Sequence, residues 1–304
     1  MKNKILIALA YTLFSLQVLT AGSAAGDGRP FVIGSHVGSS NKGAGFFFCF
    51  MGVLNNLAWC ERNNRTPIVF WDHRSLYYEK NGYHGAHNVW EYYFEPVSEA
   101  SYDPSAPVRN TYDAPDGSGI KQLKANSLCS YYSEGQQRKI AHALVKKYVK
   151  IKPYIQEKIA SFYRTKMAGK KTIGMHLRGT DKRAEIKPVS IETMCSSANA
   201  LAKNYSGCQF LVATDEKKIL QKAARLLQGQ VIYYDAYRSS NGKPVHGKGQ
   251  RFNSMNKARL GEEVLIETLL LSKCDMFLHS CSNVSSAVLF FNPELPHILF
   301  ENGQ

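Results

Sequence analysis

The residues best suited to chemistry stand together at the end of an apolar run: Thr172-Ile173-Gly174-Met175-His176-Leu177 leads directly into Arg178-Gly179-Thr180-Asp181-Lys182-Arg183. A strand ending in this way delivers an imidazole, several cations and a carboxylate to the carboxyl edge of a sheet, where open α/β folds take their ligands. Arg178 offers a planar fork of donors that can hold a phosphate through two bonds, and Lys182 adds a compact point charge. The set suits a phosphate or diphosphate. A loop of solvated surface ion pairs is the alternative reading of the same residues.

The elements that would position this cluster follow from the surrounding pattern. Strands are expected at Thr172 to Leu177, Gln209 to Thr214, Val231 to Tyr234, Met276 to His279 and Ile298 to Phe300. Helices are expected between them, at Ser190 to Lys203, Glu216 to Leu227, Gly261 to Lys273 and Ser282 to Phe291. Such alternation reads as a doubly wound parallel sheet with helices on both faces, a Rossmann-like arrangement. Its strand ends carry His176 and Arg178, Asp215 and Glu216, Asp235, and His279, Ser280 and Ser282. No G-x-G-x-x-G follows any of these strands, which disfavours a conventional NAD or FAD site, and neither G-x-S-x-G nor H-E-x-x-H occurs. An Asp-x-Asp pair for a divalent ion is also absent, so protein cations, Arg178 first, would have to neutralise a diphosphate.

The first half is less regular. Phe31-Val32-Ile33 reads as a strand running into the glycine-rich stretch Gly34 to Gly45, which could cradle a phosphate or form a flexible turn. A dense apolar helix is expected from Phe46 to Arg62, then a strand from Thr66 to Asp72, completing a first β-helix-β unit. Between Ser75 and Ser130 no period is evident; Tyr77, Tyr78, Tyr83, Trp90, Tyr92 and Tyr93 are expected to anchor small satellite cores rather than stack on sugars or bases. Two lysine-rich amphipathic helices, Ser133 to Val149 and Pro153 to Lys166, connect the halves.

A chain of 304 residues with 44% apolar and 20% charged residues can build two ordinary domains, and disorder is not expected. With 38 basic against 24 acidic residues the net charge is +14, which points to an anionic partner or surface. Nucleic acid, acidic membrane, sulfated glycan and sugar nucleotide all qualify on charge alone. Residues 1–25, with Lys2 and Lys4 before the apolar run Ile5 to Leu19 and then small residues, read as a secretory signal or an uncleaved anchor. The seven cysteines form no zinc-like spacing; most sit in apolar contexts, and Cys195 with Cys208 is the closest plausible bridge in the second half.

With those residues in view, the second half resembles the fucosyltransferase superfamily that includes the α1,6-fucosyltransferases of N-glycan cores and nodulation factors. The resemblance is carried by His176-Leu177-Arg178-Gly179-Thr180-Asp181-Lys182, by Val212-Ala213-Thr214-Asp215, and by Leu271-Ser272-Lys273-Cys274-Asp275-Met276-Phe277-Leu278 running on to Ser282-Asn283-Val284-Ser285-Ser286. It implies a GT-B-like α/β enzyme of two Rossmann-like lobes, an acceptor-side lobe at 29–150 and a nucleotide-sugar lobe at 151–304. It further implies transfer of fucose from GDP-fucose to a glycan with inversion and without metal. The N-terminal segment points to the secretory pathway or the exterior, or to membrane association if it stays as an anchor, and no nucleic-acid partner is expected.

Carried onto matching positions, His176 and Glu267 would read the guanine, with Asp215 at the same edge, while Arg178 and Ser282 would hold the β-phosphate. Lys182 would add charge and Glu185 would serve as base, with Asp181 bracing the loop. Two departures stand out: Gly179 replaces the family's second arginine, for which Arg183 could substitute, and the acid after the motif lysine comes one position early, as Glu185. An exported glycan-binding protein that kept the fold and lost turnover is the alternative.

Overall fold

The computed structural model describes residues 28–35, 44–109, 113–116, 135–178, 189–240 and 256–300. Two parallel sheets organise them. In the first, β1 (Pro30–Ile33) lies between β2 (Thr66–Val69) and β3 (Val108–Arg109). The helix α1 (Phe46–Arg62) makes the crossover from β1 to β2, with the bounds its apolar density indicates. It stops at Asn63, whose amide donates back to Trp59 O at 2.9 Å, and at Asn64, which takes φ 46°.

The aromatic residues expected in satellite cores belong instead to the main core. Trp90, Tyr92 and Tyr93 are fully buried, and Phe46 meets Trp71, Tyr77 and Tyr93 edge-on at centroid distances of 5.9, 5.4 and 5.0 Å. Edge-to-face pairs of this kind stabilise by about 0.5–1.5 kcal/mol each beyond area burial. Tyr77 also accepts from Phe46 N at 2.8 Å, so its hydroxyl serves an orphan donor at the start of α1. The segment reads as aperiodic because a 3-10 turn (Val89–Tyr92) and the two-residue β3 are too short to show a period.

The helices α2 (Gly135–Tyr148) and α3 (Pro153–Phe162) lead into the second sheet. Its strands are β4 (Thr172–His176), β5 (Gln209–Ala213), β6 (Gln230–Ile232), β7 (Met276–Ser280) and β8 (His297–Phe300), in the spatial order β6-β5-β4-β7-β8 and all parallel. Every residue of β4 and β5 is buried, as expected for strands covered on both faces. One face is covered by α4 (Ile191–Ala202) and α5 (Lys217–Leu226), through Met194, Cys195, Ala198, Ile219 and Ala223. The other carries α6 (Lys257–Leu271) and α7 (Asn283–Phe291), whose apolar side chains join the core of the first lobe.

That join is close. Tyr93 Oη donates to Ala258 O at 2.9 Å, and a Cβ at Gly261 would collide with Tyr93 Oη and come within 2.8 Å of Tyr93 Cζ and 3.1 Å of Tyr77 Cδ1. From sequence, Gly261 looked like the start of the helix; it is instead a point of contact four residues inside. The helix begins at Lys257, where Asn256 Oδ1 accepts from Arg259 N at 2.9 Å and Glu79 Oε1 accepts from Lys257 N and Ala258 N. A carboxylate from the first lobe thus sits at the positive end of a helix from the second, a favourable placement.

The expected Cys195–Cys208 bridge does not form: both thiols are free, Cys195 buried under α4 and Cys208 half-buried before β5. Among the described cysteines, Cys281 is disulfide-bonded. Residues 1–25 and the glycine-rich stretch at 36–43 lie outside the described residues. No helix among the described residues is long and apolar enough to cross a membrane.

Gly261→Ala is expected to lower unfolding stability by about 1–3 kcal/mol, the usual cost of overpacking a filled core. Urea denaturation measures it; an unchanged midpoint would mean that the two lobes do not meet there as described.

Candidate functional site

The second sheet reverses direction at β4. Successive crossovers lead from β4 to β5 and β6 on one side, and the chain returns to place β7 and β8 on the other. Among the described residues no crossover covers the carboxyl ends between β4 and β7, and such a switch point is the crevice in which open α/β sheets bind ligands. The ladder pairs His176 with His279, so both imidazoles arise on the same face at that crevice.

The His176 ring is buried and held by the start of α7. Its Nδ1 lies 3.2 Å from Ser285 Oγ and 3.3 Å from Ser282 Oγ. Ser282 is the N-cap of α7, accepting from Ser285 N at 2.9 Å, and Ser285 Oγ donates to Ser280 O at 3.0 Å. These bonds fix the imidazole against the end of a helix whose earliest amides have no intrahelical partner, an arrangement suited to an anion. Ser282 therefore works first as a cap, taking Ser285 N on its hydroxyl and Ser286 N on its carbonyl, and the first amides of α7 ahead of these are candidate donors that sequence reading did not name. Arg178, half-buried, stands two residues past the end of β4. Lys182, Glu185, Asp181 and Arg183 lie outside the described residues.

A second group of side chains gathers at the ends of β5 and β6. Asp215 is half-buried two residues past β5, where its carbonyl accepts from Ser239 N at 2.8 Å and so draws the chain after β6 back to the sheet edge. That return carries Arg238 onto Glu267: NH2 donates to Glu267 Oε1 at 2.6 Å and to Tyr234 O at 3.0 Å, and NH1 donates to Ala236 O at 2.8 Å. The side chains of Arg238 and Glu267 are 6% and 13% exposed, so Glu267 is not a solvated helix carboxylate. Burial pushes its carboxyl up to about 8 against the pull of Arg238, with Glu263 and Asp215 also raising it.

Two further buried acids on α6 were not anticipated. Glu262 accepts from Tyr83 Oη at 2.7 Å and from Lys158, while Glu263 accepts from Arg259 Nε and Tyr237 N at 2.7 and 2.8 Å. The available signal was an apolar helix interrupted by glutamates on more than one face. Nothing local indicates the partners, since Tyr83 is 179 residues away.

No family profile and no curated protein matches the sequence. Solved structures do match. The chain is similar to NodZ alpha-1,6-fucosyltransferase soaked with GDP-fucose, with 17% identity, a TM-score of 0.54 and coverage of 90% of this chain and 97% of that one. It is similar to fucosyltransferase NodZ from Bradyrhizobium, with 16% identity, a TM-score of 0.52 and 90% and 97% coverage. POFUT1 in complex with GDP-fucose matches at 12% identity and a TM-score of 0.51, over 92% of this chain and 99% of that one. The chain has the GT-B-like fucosyltransferase fold. At such identities the likeness is one of fold, and what the site does must be argued from its own residues.

Beside His176 in this fucosyltransferase-like fold, His279 occupies an apolar setting. Its ring stacks on Phe277 at 4.6 Å, Nδ1 donates to Ser280 O at 3.2 Å, and Nε2 accepts from His297 Nδ1 at 3.0 Å. Burial, reinforced by His297, pushes His279 down to about 3 from its usual 6.5. The folded state therefore binds this proton less readily than the unfolded chain does. Its contribution to stability is full above about pH 6.5 and is lost as the pH falls towards 3. The effect has an upper limit of about 1.4 kcal/mol per pH unit. His279→Gln keeps a donor and an acceptor but cannot take the proton; it should flatten the fall in unfolding free energy between pH 6.5 and 4. Parallel slopes for the two proteins would rule out His279 as the group responsible.

Proposed function

We propose that this chain is a glycosyltransferase that moves fucose from GDP-fucose to a glycan acceptor, with inversion at the sugar and without a metal ion. The observation that carries the reading is that His176, at the end of β4, meets Ser282, the cap of α7, at the switch point, with Arg178 two residues further along the chain. Solved structures of the same fold contain GDP or GDP-fucose, which adds support.

The chemistry follows from the charges. As the bond from sugar C1 to the diphosphate breaks, negative charge grows on the departing phosphate, and donors fixed beside it favour the transition state over the ground state. Arg178 supplies a charged fork and the first turn of α7 supplies backbone amides, with Lys182 as a further cation. Glu185 takes the proton from the acceptor hydroxyl, and Asp181 braces its loop. Glu267 accepts from the N–H edge of the guanine, with Asp215 alongside and His176 packed between base and phosphate. The first lobe, 29–150, holds the acceptor, and 151–304 holds the donor. The disulfide at Cys281 supports an oxidising compartment and thus the secretory pathway or the exterior.

Transfer from labelled GDP-fucose to a glycan, in buffer with chelator, tests the proposal. Arg178→Ala should lower turnover on the order of 10²–10³-fold, the usual cost of losing one such donor, with the melting temperature unchanged. Normal turnover in that variant, or no transfer and no donor hydrolysis by the unmodified chain, would sink it.

A further inference from the structure

The Arg238–Glu267 pair calls for an explanation beyond stability. Withdrawing both charges from water is expensive, and an apolar pair of similar volume often serves a fold as well or better. Arg238 is also incompletely satisfied, since its buried Nε has no hydrogen-bond partner. Yet the guanidinium is held by two carbonyls as well as by the carboxylate, so its plane is fixed. A rigid fork of this kind fixes in turn the group it touches.

That group is one oxygen of Glu267. Oε1 accepts from Arg238, whereas among the described residues no hydrogen bond reaches Oε2. Three charged groups face the carboxylate. Arg238 comes from the chain after β6, Glu263 from one turn earlier on α6, and Asp215 from the end of β5. Glu263 is taken up by Arg259 and Tyr237 N, leaving Arg238 as the cation opposite Glu267 among the described residues. Without it, burial and two neighbouring acids would favour the neutral acid. A protonated carboxyl presents an O–H, and facing a base that itself presents N–H groups it sets donor against donor. The neighbourhood also offers surfaces for a flat ligand, since Tyr233 and Tyr237 are 49% and 43% exposed on the same return segment, and Arg238 lies 5.4 Å from the Tyr233 ring.

We propose that Arg238 is a positioning residue for base selection, holding Glu267 in one orientation through Oε1 so that Oε2 is left to a ligand, and the pocket takes a nucleoside diphosphate whose base presents N–H donors and rejects one presenting an acceptor there. The inference rests on the donor-site reading above and deepens it by naming the residue that sets the preference.

Calorimetric titration of the full-length protein with GDP and with ADP, in chelator at pH 7 and pH 8.5, provides the test. The unmodified chain should favour GDP on the order of tenfold or more at pH 8.5, the discrimination expected of one good paired contact, and less at pH 7, where Glu267 is more protonated. Arg238→Met should bind ADP as before and lose the preference for GDP at both pH values, since without the guanidinium Glu267 is neither fixed nor helped to ionise; Arg238→Lys should retain the preference. Should the methionine variant fail to fold, Glu267→Gln carries the test, and it should lose the preference at both pH values. An unaltered GDP to ADP ratio in folded Arg238→Met, or in Glu267→Gln, overturns this inference alone. An unmodified chain that binds neither nucleotide overturns it together with the donor reading.

Discussion

The backbone ladder between β4 and β7 sets His176 beside His279 at the point where the strand order reverses, because the crossovers on either side run in opposite directions. Every other feature of the candidate site is a consequence of that pairing. It brings the N-terminus of α7 to the end of β4, so that Ser282 and Ser285 reach the His176 ring. It places Arg178 at the mouth of the same crevice. A one-residue slip in a parallel register would turn His176 to the opposite face of the sheet and separate it from the helix. Strands buried on both faces resist such a slip, since each face has its own apolar complement in the helices above and below.

Charge buried on α6 is the second organising feature. Three glutamates of this helix are drawn in by partners from different regions: Tyr83 of the first lobe and Lys158 of α3 for Glu262, Arg259 and Tyr237 for Glu263, and Arg238 for Glu267. Such bonds add little net stability once desolvation is counted, but they are directional and tolerate few alternatives. Together with the approach of Gly261 to Tyr93, they hold α6 in one orientation between the lobes. That side of the crevice therefore inherits its geometry from the first lobe as well as from its own sheet.

Much of this was legible in the sequence wherever the physics is local. The strands of the second sheet are short apolar runs ended by charge, and α1 is an unbroken apolar helix closed by two asparagines, so both were read to within a few residues. The meeting of His176 with Ser282 was legible because a parallel sheet gathers its strand ends at one edge. The failures share a cause in distance along the chain. Gly261 looks like a boundary until Tyr93 is seen to occupy the space of its missing side chain. The aromatic stretch looks like a satellite until Phe46 is placed in its midst. Arg238 had no local mark of function, since its meaning depends on Glu267, 29 residues on. Cys195 and Cys208 were paired by proximity in sequence alone, whereas burial under α4 assigns one of them to the core.

The central claim is that an anionic ligand group sits where β4, β7 and the first turn of α7 converge. Backbone hydrogen exchange with and without saturating GDP, in chelator, examines that place directly. The account predicts new protection concentrated at residue 178 and at 282–284, past the end of β4 and at the start of α7. GDP binding accompanied by protection elsewhere, with those two segments unchanged, would contradict it.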